Sequence, residues 1–134
     1  MSPQSRVVSV VLPADTTLNS NRRADSAPYR RAPRTDAIRS AFRHAAHGMH
    51  PLTTPVHVEL QLEFGRNARR DAPNWWPTAK AAIDGLVDAA LITDDSDKHV
   101  TRTVFPAHTT DPALRATKTT GARVRLTITI TEDH

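Results

Sequence analysis

No cysteine occurs among the 134 residues of this chain, which excludes disulfides, cysteine-based zinc centres and thiol nucleophiles and permits a reducing compartment. No apolar run approaches the length of a membrane span, and the N-terminus lacks the long apolar core of a signal peptide. The expectation is an unexported cytoplasmic protein with no membrane partner. Internal repeats are absent, and the length suits a single domain over 1–134 with one core. Lysine is scarce as well: Lys80, Lys98 and Lys118 stand against 15 arginines, so the net charge of +4 is carried by the side chain best suited to bidentate phosphate contact.

That charge is uneven. Residues 1–43 hold eight Arg and three Asp, whereas the remainder has 10 basic and 11 acidic residues. The basic end suits a polyanion, although a basic solvated surface with no specific partner has the same composition.

Two segments alternate with period two. Val56, Val58, Leu60, Leu62 and Phe64 oppose His57, Glu59, Gln61 and Glu63, and Val124, Leu126, Ile128 and Ile130 oppose Arg125, Thr127, Thr129 and Thr131. Each predicts a strand with one buried and one wet face. Arg6 to Leu12 is β-branched and nearly continuous, which reads as a more central strand, and Val100 to Phe105 is a shorter candidate. A first helix is expected from Thr35, after Pro33, to a stop at Gly48. A second is expected from Pro77, with Ala79, Ile83, Leu86, Val87, Ala90 and Leu91 on its apolar face. The fold class that follows is α+β: a small mixed or antiparallel sheet of about four strands with two helices on it. The stretches 13–33 and 106–121 carry no convincing element and read as flexible loops.

Between Arg69 and Asp95 a basic pair and an acidic residue precede the second helix, and an aspartate doublet follows where the helix should end. Carboxylates at both ends of one helix can fold toward each other, and hard oxygen ligands suit Mg²⁺ or Mn²⁺. Arginines beside them would meet a phosphate. The layout therefore suggests a metal-dependent phosphodiesterase. An isolated aspartate or doublet is more often a solvated turn, and Lys80, Asp84 and Asp88 at intervals of four also read as an exposed ion-pair ladder. Lys80 in the first turn opposes the helix dipole, which favours a functional role for it. His44, His47 and His50 cluster loosely near the end of the first helix, but their spacing lacks the paired ligands of a zinc motif.

The two-faced strand from Val56, the Arg69-Arg70-Asp71 turn, Asn74, Lys80 and the Asp94-Asp95 doublet resemble the RusA family of Holliday junction resolvases. Val10 to Pro13 followed by Asn19-Ser20-Asn21-Arg22 is similar to that family's first strand and Asn-rich loop, and Leu126 to Thr129 to its closing strand. The family pattern runs Asp, any residue, Asp, Asn, a gap, Lys, and farther on an aspartate doublet. Asp71, Asn74, Lys80 and Asp95 fall on it. Pro73 replaces the second aspartate, and the gap between Asn74 and Lys80 is longer than usual.

The resemblance implies a homodimer that binds four-way DNA junctions and cuts opposing strands with Mg²⁺, Mn²⁺ being an alternative, and without a small-molecule cofactor. It implies Asp71, Lys80 and Asp95 as catalytic residues and Asp71, Asp95 and Asp94 as metal ligands. Arg69, Arg70, Asn74, Arg22 and Arg23 would contact DNA. A catalytically weakened junction-binding protein of the same fold is the alternative that Pro73 raises. Trp75 and Trp76 are left between base stacking, core packing and a dimer contact.

Overall fold

Strands that alternate apolar and polar residues are stable only when the apolar face is covered, and here two helices cover it. The computed structural model describes residues 2–18, 28–66 and 74–133, with the backbone alone for 28–31. Its elements run β1 (Ser5–Pro13), α1 (Pro28–Ala45), β2 (Val56–Phe64), α2 (Trp76–Asp88), β3 (Val100–Val104), β4 (Thr109–Thr110) and β5 (Arg123–Glu132). The fold is α+β with a five-stranded mixed sheet. β5 pairs antiparallel with β1 on one side and with β2 on the other, and β2 pairs parallel with both β3 and β4 along its far edge.

The register explains the pattern read from the sequence. Val58 stands opposite Ile130, Leu60 opposite Ile128 and Leu62 opposite Leu126, all fully buried on one face. Ile38 and Phe42 of α1 and Ala79, Ile83 and Leu86 of α2 complete that core. The two helices meet at Gly85, where a Cβ would lie 2.3 Å from the Arg39 carbonyl oxygen, so close packing here requires glycine. Arg39 also reaches Asp88 with two hydrogen bonds, Nε to Oδ2 at 2.6 Å and a terminal nitrogen to Oδ1 at 2.8 Å. Gly48, at φ 80°, follows the end of α1 as expected.

Several expectations change. β1 is an edge strand rather than a central one: Val8 is buried, whereas Val7 and Val11 are exposed on the face away from the helices. α1 begins at Pro28, with Pro33 inside it at an exposed position, so this proline removes one helical hydrogen bond without marking the start. The sheet has a fifth strand, the two-residue β4. Within 106–121 lie that strand and a 3-10 turn at Pro112–Leu114, capped by the Asp111 side chain, which accepts the Ala113 N–H at 3.0 Å. Within 13–33, a 3-10 turn occupies Ala14–Thr16 and α1 takes the last residues. Among the described residues no helix is long and apolar enough to cross a membrane.

Candidate functional site

α2 positions the site, and its start is tied down twice. Asn74 Oδ1 accepts the Trp76 N–H at 3.0 Å, which satisfies one of the free donors of the first turn. Pro77 follows, with its fixed φ and without an N–H to satisfy. The fully buried Thr78 hydroxyl donates to the Leu18 carbonyl at 2.7 Å and accepts the Leu18 N–H at 2.8 Å. The chain before Asn19 is therefore anchored to the first turn of α2. The expected site also includes Arg22, Arg23, Arg69, Arg70 and Asp71. Those five expected site residues, and Pro73, lie outside the described residues.

One turn into α2, Lys80 and Asp84 form an ion pair at 2.8 Å. The same Lys80 ammonium pairs with Asp95, which lies 15 positions along the chain. Lys80 is thus a cation held between two carboxylates at a partly exposed position. The expected ladder along α2 divides: Asp84 belongs to this trio, and Asp88 turns to Arg39 on α1. Hydrogen bonding from Arg39 holds the Asp88 carboxyl below the usual carboxylate range and raises the Arg39 guanidinium above its ordinary value.

The aspartate doublet does not end the helix. α2 stops at Asp88, Ala90 takes a left-handed φ of 60°, and Leu91 and Ile92 turn into the core before Asp94 is reached. The Asp94 Oδ1 accepts the Asp95 N–H at 2.7 Å, so Asp94 shapes the turn that presents Asp95. Among the described residues no three His, Asp or Glu side chains converge as metal ligands. The donors that do gather around Lys80 are carboxylate oxygens, the chemistry that Mg²⁺ and Mn²⁺ prefer. One cation between two anions leaves the trio net negative.

Beside the trio opens a cleft of about 390 Å³. Trp76, Lys80 and Ile83 line it from α2, Asp95 and Asp97 from the following loop, and Val100 to Thr103 from β3. Trp76, Asp97 and Arg102 were not singled out together from the sequence. The only available hint was the interval of four between Trp76 and Lys80, which puts both on one helix face. No protein-family model and no curated protein matches the chain.

Proposed function

We propose that this protein is a Mg²⁺-dependent, structure-selective DNA endonuclease of the RusA type, a cytoplasmic homodimer that resolves four-way junctions. The observation that carries the reading is the meeting of Lys80 with Asp95 in the lining of a cleft, on the helix whose first N–H bonds to Asn74. These are three of the positions that fall on the family pattern, and Asp71 precedes Asn74 by three residues.

In this reading Asp95 and Asp71 hold the ion, with Asp94 fixing the turn behind Asp95. A divalent ion bound there supplies Lewis acidity at the scissile phosphate. With Asp95 engaged as a ligand, Asp84 would still hold the Lys80 ammonium, which would face the oxygen on which negative charge develops. With a divalent ion held there, the net charge of the trio would become positive and would attract phosphate. Arg69, Arg70, Arg22 and Arg23 contact the backbone of the junction arms. Two-fold symmetry matches two such sites to two equivalent strands.

Pro73 favours a second reading, in which the same fold binds junctions without cutting, because its side chain offers no ligand where the family has an aspartate. The two are separated by a four-way junction and a linear duplex, each incubated with Mg²⁺ and with EDTA. Paired symmetric nicks on the junction, dependent on Mg²⁺ and abolished by Asp95→Asn or Asp71→Asn with binding retained, support the enzyme. Tight junction binding without product under Mg²⁺ or Mn²⁺ supports the binding protein.

A further inference from the structure

We infer that the cleft beside Lys80 is a subsite for an unpaired nucleobase, with Trp76 as the stacking platform and Arg102 as the contact to the adjoining phosphate. This rests on the proposal that the protein acts on DNA and adds how an unpaired nucleotide next to the reacting phosphate is held.

The fold separates the two tryptophans. Trp75 packs toward the core, its ring 6.1 Å from that of Phe64. Trp76 is 47% exposed, an uncommon state for a side chain with so much apolar area to bury. It stands one turn before Lys80 and lines the cleft with the buried Ile83 and Val100. β3 lines it with Thr101, Arg102 and Thr103, the Thr101 hydroxyl donating to the Asp133 carboxylate and the Val56 carbonyl. Arg102 is exposed and forms no direct salt bridge among the described residues, its charge being felt by the Asp133 carboxylate without contact, whereas Lys80 is matched by two carboxylates.

A flat π surface and a guanidinium lining one cleft complement a nucleotide: the base lies on the indole and the phosphate meets the guanidinium. The cleft volume falls within the range of about 300–1,000 Å³ usual for small-ligand sites. A base still paired in a duplex cannot enter such a site without leaving its stack, so the subsite selects distorted or single-stranded DNA.

The test is made in EDTA, so that binding is read without cleavage, with a short oligodeoxythymidylate and a linear duplex as probes. In the Trp75→Phe protein the remaining Trp76 emission is expected to be quenched by the oligonucleotide and much less by the duplex. In Trp76→Ala the remaining Trp75 emission should stay unchanged and affinity for the oligonucleotide should fall about ten-fold, with Trp76→Phe recovering most of it. Arg102→Ala should weaken binding and flatten its salt dependence. Equal affinity of Trp76→Ala and wild type, or quenching of Trp75 in place of Trp76, overturns the inference. Quenching of Trp76 in a protein that never cuts junctions supports the subsite while contradicting the endonuclease, and cutting without quenching does the reverse.

Discussion

Asn74 has a structural task that can be separated from any contact with DNA. Its side chain accepts the Trp76 N–H from the position before the N-cap residue Trp75, so Asn74→Ala should lower stability by up to about 1 kcal/mol, while Asn74→Asp, which keeps an acceptor there, should restore most of it. Thermal melting of the three proteins checks this without nucleic acid. At this scale the sequence was informative about Lys80 and Asp95, because the resemblance paired them before any geometry was known. It was less informative about the neighbours. Trp76 and Arg102 belong to different elements, and only the parallel pairing of β3 beside β2, with α2 crossing over, brings them to one cleft. The helix was expected to run to the aspartate doublet, whereas α2 ends at Asp88 and the left-handed Ala90 follows.

The contact between α1 and α2 combines close approach with one charged clasp. Gly85→Ala would drive a methyl group into the Arg39 carbonyl, and the helices must part, at a cost of about 1–3 kcal/mol or more. Urea unfolding should show a lower midpoint with an unchanged slope. The clasp gives a dependence on pH. Hydrogen bonding from Arg39 depresses the Asp88 carboxyl in the folded state, so its stabilisation is complete above the ordinary carboxylate range and is lost as pH falls through the folded value. Asp111, through the Ala113 N–H and Arg125, and Asp133, through Thr101 and His57, have the same sign. The melting temperature should therefore drop between neutral pH and about pH 3, and Asp88→Asn, less stable at neutral pH, should drop by less over that interval. Helix boundaries were the least legible feature at this scale. Pro33 looked like a start signal because proline usually is one, yet α1 passes through it.

Across the whole molecule, one helix-covered face and a mixed sheet follow from patterns that are visible without coordinates. β2 and β5 announced their dry faces through strict alternation, and they are the two inner strands that carry the core. The continuous β-branched run of β1 suggested a buried centre, but Val7 and Val11 lie exposed on the edge strand, since β-branching reports strand propensity and not position in the sheet. The same architecture sets Lys80 and Asp84 of α2 against Asp95 in the loop after the helix, so residues distant in the chain form one acidic and cationic site. The proposed cutting of branched DNA at this site is tested most directly by mixing the purified protein and its Asp95→Asn variant with a labelled four-way junction in Mg²⁺ and following product by denaturing electrophoresis. Paired symmetric nicks are expected from the wild type alone, with none in EDTA and none on linear duplex. Junction binding with no nicks under Mg²⁺ or Mn²⁺, or nicks that persist undiminished in Asp95→Asn, would contradict it.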